Sequence, residues 1–300
     1  MAAGWQALPP EYAIPERPPS LKEARAWCQR LARTHYENFH VATWFLPQRL
    51  RPHFYAVYAY CRVSDDLGDE VPSPESALAL LDLWEAELDA CYTGSSRHPV
   101  FIALAETIRA CDIPRQPFAD LLQAFRQDQT VKRYPTFDDL LGYCRYSANP
   151  VGRIVLYCCG YRNAERQELS DFTCTALQLA NFWQDVTVDY GKGRIYLPLE
   201  DMKRFGVAEE VIASGRATPQ FVELMRFQVE RARQWFDRGL PLAAQVDRAL
   251  ALDIELFSRG GQAILSAIER QGFDVLRRRP VISRGRRLGL LARALAGKLL

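Results

Sequence analysis

An all-α fold is what this sequence predicts, on three observations. From about Ser20 onward apolar residues return at three- and four-residue spacing, the period of a helix face. Alternating apolar and polar runs of any length, the mark of half-buried strands, do not occur. Proline, glycine and cap residues cut the chain into pieces of helical length, roughly ten in all. The 300 residues, 48% of them hydrophobic, suffice for a large core, and no stretch forces a second domain.

Residues 1–19 are proline-rich and read as a flexible lead-in, residues 20–276 as one helical catalytic domain, and residues 277–300 as a basic, apolar tail helix. Ser20 can cap a first helix, LKEARAWCQRLARTHY, and Pro52 falls in the first turn of HFYAVYAYCRVSDDLGDE, where a missing N–H costs little. Pro72 and Pro74 end that helix and start PESALALLDLWEAELDACY, with Leu78, Leu81 and Trp84 on one stripe. TGSSRHP turns the chain into VFIALAETIRAC, and helices follow over Phe118–Gln127, Phe137–Cys159 and Leu169–Asp189. Pro150 removes a backbone hydrogen bond inside the second of these and kinks it. GKGRIYLPLEDMKRFG reads as a loop and a short helix, and Pro219 opens a long amphipathic helix, with two more running to about Gly272.

With 38 basic against 36 acidic residues the chain has no bulk attraction for nucleic acid, which is not expected as a partner. Eight cysteines without a CxxC pair, and only four histidines, argue against zinc and for buried thiols in a reducing compartment. No charged-then-apolar leader opens the chain, and charges interrupt every apolar run short of the ~18 residues a membrane span needs. A cytoplasmic location is expected, with possible peripheral membrane contact through the arginine- and leucine-rich tail, which can equally pack on the domain as a solvated basic helix.

The stretch AYCRVSDDLGDE places four acids within six residues after an aromatic-rich run. On a helix Tyr58, Arg62, Asp65 and Asp69 share one face, while Asp66 and Glu70 project from a neighbouring one and are expected to be solvated or supporting groups. Like charges four apart destabilise a helix by roughly 0.2–0.5 kcal/mol, so something must offset the repulsion. QLANFWQDVTVDYGKGR repeats the pattern with Gln178, Asn181, Asp185 and Asp189 on one face. Oxygen ligands with little histidine or thiol select Mg²⁺, which takes one or two carboxylates and completes its shell with water and substrate phosphate. Carboxylates hold a diphosphate only through such cations, which then stabilise it as a leaving group. Tyr58, Tyr143, Tyr146, Phe39, Phe182 and Tyr196 are candidates to shield the resulting carbocation from water.

FYAVYAYCRVSDDLGDE, YCRYSANPVGR and QLANFWQDVTVDYGKGRIYLP together resemble the squalene/phytoene synthase family of head-to-head isoprenoid synthases, from about Leu21 to Leu276. The resemblance implies a helical bundle around a central apolar cavity. It implies that Asp65, Asp69, Asp185 and Asp189 bind Mg²⁺–diphosphate clusters, with Asn181 joining the second set. It puts Tyr58 and Arg62 in the diphosphate pocket, Arg194 and Tyr196 beside it, and Asn38 and Phe39 in an early pocket segment near His35. Tyr143 matches a pocket tyrosine, so that Asp65, Asp69, Asp185, Asp189, Tyr58 and Tyr143 are the expected catalytic set.

Within the family the motifs look most like those of bacterial hopanoid-pathway members that convert presqualene diphosphate and water to hydroxysqualene. NADPH is not expected, because water takes the place of hydride. Asn149-Pro150 replaces a glycine-containing segment of the common pattern, and Gln184 replaces an arginine; either amide can position the attacking water or merely satisfy local backbone. Two other readings compete: condensation of two prenyl diphosphates, and a catalytically silent lipid-binding or assembly factor of the same fold.

Overall fold

The computed structural model describes residues 12–35 and 47–282, with Gly285 and Gly289. Asn38, Phe39, the His35 side chain and the rest of the C-terminal tail lie outside the described residues. The helices are α1 (Leu21–His35), α2 (Arg51–Asp69), α3 (Pro74–Thr93), α4 (Pro99–Cys111), α5 (Gln116–Thr130), α6 (Phe137–Ser147), α7 (Asn149–Cys158), α8 (Ala164–Gln184), α9 (Val186–Gly191), α10 (Leu199–Arg204), α11 (Glu209–Ala213), α12 (Pro219–Gly239) and α13 (Arg248–Arg270). Extended pairing among the described residues is limited to an isolated bridge between Arg133 and Ile195. The fold is all-α.

Packing divides the chain into two units at places where the sequence shows no boundary. The first runs to Thr130 and takes in Pro150–Asn163; the second holds Val131–Asn149 and everything from Ala164 on. In the first unit α2 is the central helix, packed against α1, α3, α4 and α5. Its buried stripe, Ala56, Ala59, Tyr60, Val63 and Leu67, joins Trp84 of α3, Phe101 of α4, Phe118 of α5 and Ile154 of α7 in one core. Tyr60 donates to the Phe118 carbonyl at 2.8 Å, and Trp84 donates to Ser64 Oγ at 2.9 Å, so polar atoms inside this core are satisfied and α2 is fixed in rotation.

In the second unit α8 packs against α12 and α13. The approach is close enough to need glycine: a Cβ on Gly239 would lie 2.2 Å from Thr173 Oγ1, and one on Gly261 would lie 2.4 Å from Phe236 Cζ.

Ser20 Oγ accepts from the Glu23 amide at 3.4 Å, as its place before α1 leads one to expect. Three boundaries differ from the sequence reading. The expected helix over Phe137–Cys159 is two, α6 and α7, divided at Ala148 just ahead of Pro150, which has no N–H to donate to the preceding turn and whose ring crowds it. The helix expected over Leu169–Asp189 begins earlier, at Ala164, and breaks at Asp185, whose backbone (φ −108°, ψ 18°) leaves the α region. After α12 there is a short 3₁₀ segment, Leu240–Gln245, and then one helix instead of two, α13, which runs through Gly260 and through Gly261, the latter at a close approach to Phe236. On α3 the buried stripe includes Leu80, Leu81 and Trp84, with Leu78 half-buried. None of the eight cysteines forms a disulfide. Among the described residues no helix is long and apolar enough to cross a membrane.

Candidate active site

The sequence places acids at the end of α2 with no basic residue in its last turn, where the helix macrodipole and i, i+4 repulsion both disfavour them. Tyr58, Arg62, Asp65 and Asp69 form a half-buried stripe along this helix, and Glu70 is exposed. Of the two roles expected for Asp66, solvated or supporting, the structure shows the second: its side chain is 7% exposed against 48% for Asp65. Arg62 grips it with a fork, Nε at 3.1 Å from Oδ2 and Nη2 on Oδ1, and reaches Asp65 with Nη1 at 3.4 Å. The Tyr12 hydroxyl also donates to Asp66. Burial pulls the Arg62 pKa down, and the carboxylates of Asp66 and Asp65 more than offset this, leaving it raised. The end of α2 is held from α5, where Gln129 Nε2 donates to the Gly68 carbonyl at 2.9 Å.

The second group is built on the α8–α9 junction. The break at Asp185 keeps the helical register, because the Asp185 amide donates to Asn181 O at 2.9 Å and the Asp189 amide to Asp185 O at 2.8 Å. Asn181 is exposed, Gln178 and Asp189 are half-buried and Asp185 is buried. Asn181 Nδ2 donates to Asp185 Oδ2 at 3.2 Å. The carboxylate is also gripped by Arg279, Nη2 at 3.0 Å from Oδ2 and Nε on Oδ1. Those hydrogen bonds to Asp185 raise the Arg279 pKa against burial, with the charges of Asp185 and Asp189 adding to them.

Gln184 donates its amide nitrogen to the Pro280 carbonyl at 2.6 Å, which commits that group to the chain after α13. Asn149 is buried and its Oδ1 accepts from Thr175 Oγ1 at 2.9 Å.

Beside this group stands an aromatic wall. Phe182 and Tyr196 stack at 3.9 Å with an 11° interplanar angle, Tyr134 stacks on Tyr196 at 5.6 Å, and Tyr143 lies 5.7 Å from Tyr196 and 6.2 Å from Phe182. A small cleft of about 10 Å³, room for about one water, is lined by Phe182, Val186, Asp189, Arg194 and Tyr196 among others. The Arg194 amide donates to the Asp189 carbonyl at 2.8 Å, so the GRIYLP loop is tied to the second acid of the pair. Tyr146 is half-buried on α6.

The donor set fits Mg²⁺. Asp65 and Asp69 offer carboxylate oxygens at helical i, i+4 spacing, as do Asp185 and Asp189, with the Asn181 amide next to them; each group is a pair, short of the closed cage that other metals prefer. Cys61, the soft donor next to Asp65 in α2, stays a thiol because burial and the Asp65 charge push its pKa up to about 12. Sequence reasoning missed Tyr12 and Arg279, and left open whether Asp66 is solvated or supporting. The arginine run ahead of Pro280 was visible, but nothing local ties it to an acid 94 residues away.

The squalene/phytoene synthase family model matches residues 32–286. A crystal structure described as squalene synthase HpnC from Alicyclobacillus acidocaldarius is 44% identical, with a TM-score of 0.82 over 90% of this chain and 98% of that one. A dehydrosqualene synthase structure is 29% identical, with a TM-score of 0.81 over 92% of this chain and 96% of its own. Phytoene synthase of Arthrospira platensis is 30% identical over 88% of this chain and 90% of its own length.

Proposed function

Because this chain belongs to the squalene/phytoene synthase family, we propose that it converts presqualene diphosphate and water to hydroxysqualene and diphosphate with Mg²⁺. The reading of a diphosphate-ionising enzyme rests on one observation above others: both aspartate pairs are present, each with an arginine alongside. A silent member of the fold would have no use for two groups of mutually repelling acids. Asp65 and Asp69, and separately Asp185 and Asp189 with Asn181, would hold the metal. Bound there, Mg²⁺ supplies positive charge to the diphosphate oxygens and eases departure of the leaving group.

The chain's own side chains do the rest. Arg62 and Arg194 offset diphosphate charge that the carboxylates alone would repel. Tyr143, Phe182 and Tyr196 present ring faces that favour a carbocation and exclude water in bulk. One water adds its oxygen to the rearranged cation and loses a proton, which gives the alcohol. Asn149, its amide oriented by Thr175, is the residue proposed to place that water. The substrate enters as a single C30 diphosphate, in line with Gln184 standing where the common motif carries a further positive charge.

The choice of the squalene branch is supported by 44% identity to squalene synthase HpnC against 29–30% to the dehydrosqualene and phytoene synthases. Likeness to phytoene synthases over most of the chain supports a second reading, the condensation of two prenyl diphosphates. Supplying presqualene diphosphate and, separately, farnesyl diphosphate alone separates them by product. Hydroxysqualene is expected from the first and nothing from the second; turnover of farnesyl diphosphate alone would transfer the assignment to the condensing reaction.

A further inference from the structure

Asp66 is a buried carboxylate, and a buried charge is retained only where it is paired and its lone pairs are occupied. Arg62 supplies the charge, and its fork on Asp66 fixes the plane of the guanidinium and so the direction of Nη1, the nitrogen that reaches Asp65. What holds Asp66 itself is Tyr12, 54 residues earlier, whose hydroxyl donates to Oδ2, the oxygen that also accepts from Arg62 Nε.

Tyr12 is not a loose neighbour. Its side chain is buried at 3% exposure, and its carbonyl accepts from His98 Nε2 at 3.1 Å. His98 is fixed in turn: Nδ1 accepts from the Val100 amide at 3.2 Å, and its ring meets Trp84 edge-on at 4.9 Å and Trp27 at 5.6 Å. A continuous line of fixed groups therefore runs from His98 through Tyr12 and Asp66 to Arg62.

We propose that Tyr12 is a positioning residue for diphosphate binding, acting through Asp66 to hold the Arg62 guanidinium in its binding orientation. Tyr12 touches no substrate in this scheme. The inference rests on the proposed role of Arg62 as a diphosphate-binding group, and it extends the site to a segment upstream of the first helix.

The test uses the full chain and inorganic diphosphate with Mg²⁺, titrated by calorimetry, with melting temperature followed in parallel. Tyr12→Phe keeps the ring and removes the hydroxyl; it is expected to weaken diphosphate binding roughly 3- to 10-fold, the part of a charged hydrogen bond's worth that reaches the ligand through Asp66 and Arg62. Arg62→Lys keeps the charge and loses the fork, and should weaken binding at least as much. The double variant decides the matter: if Tyr12 works through Arg62, it binds no worse than Arg62→Lys alone. Additive losses would assign Tyr12 a general structural role and overturn the proposal. Unchanged binding in Tyr12→Phe with a clear loss in Arg62→Lys would overturn it while leaving the proposed function standing. Unchanged binding in both would overturn it together with the diphosphate role of α2.

Discussion

At the end of α2, Arg62 forks onto Asp66 and leaves Asp65 and Asp69 half-exposed, whereas at the α8–α9 junction Arg279 forks onto Asp185, itself a member of the spaced pair. In the first region the arginine is parked beside the pair; in the second it occupies one of the two acids. The backbone settings differ as well. Asp65 and Asp69 lie against the macrodipole at a helix end, while Asp189 falls in the first turn of α9, where the dipole favours it. The same DxxxD spacing thus yields one pair whose nearby arginine forks onto a neighbouring acid and one whose own buried member carries the fork.

If both pairs hold metal in turnover, Asp65→Asn and Asp185→Asn should each lower product formation from presqualene diphosphate by roughly 10²–10³-fold or more, with circular dichroism unchanged. Full Mg²⁺-dependent activity in either variant would break the equivalence of the two regions as metal holders.

Acid should act on the first region through His98. Burial holds its folded pKa near 4 against an ordinary value of 6.5, so between those values the unfolded chain binds the proton and the folded protein does not. Stability contributed there is full above pH 6.5 and falls as pH drops toward 4, by up to about 3 kcal/mol at ~1.4 kcal/mol per pH unit. Denaturant midpoints across this range measure it. His98→Gln should flatten the slope, and a slope that persisted would place the titrating group elsewhere.

The difference between an arginine beside a ligand and one on it is accessible without substrate. Arg279→Gln should tighten Mn²⁺ binding, used as a spectroscopic stand-in for Mg²⁺, by roughly 3- to 10-fold, since the competing charged hydrogen bonds are gone. Arg62→Gln, which frees Asp66 and removes from the spaced pair only the 3.4 Å contact of Nη1 on the half-exposed Asp65, should leave Mn²⁺ affinity within about twofold. Equal gains in both would erase the distinction. The smallest expected effect is at Asn149: Asn149→Gly should cut the alcohol share of the product by roughly twofold, on the scale of one lost hydrogen bond, and an unaltered share would remove Asn149 from water placement.

Much of this was legible in the chain before any coordinates. Pro52, the aromatic run and the acids specified α2 and which of its residues share an accessible face, because a helix converts spacing directly into direction. The same rule placed Gln178, Asn181, Asp185 and Asp189 together, and it survived the break at Asp185 because the i→i−4 bonds continue through it. Local pattern could not show which acid is buried. Asp65 and Asp66 are adjacent and chemically identical, and only Tyr12 and the core around Val63 and Leu67 decide that Asp66 turns inward. Arg279 was beyond reach for the same reason: its partner is set by how the chain returns after α13. Two helices were expected before Gly272 where the structure has α13 alone, and the close approach that Gly261 allows to Phe236 of α12 is a contact no local pattern announces.

The division of the chain has a genetic consequence. The path crosses from one unit to the other after Thr130, after Asn149 and after Asn163, so the first unit is encoded in two separated stretches. No single cut in the gene yields either unit as an uninterrupted fragment. Exchange of whole units between relatives by recombination therefore requires three coordinated crossovers, at the points where the path changes unit.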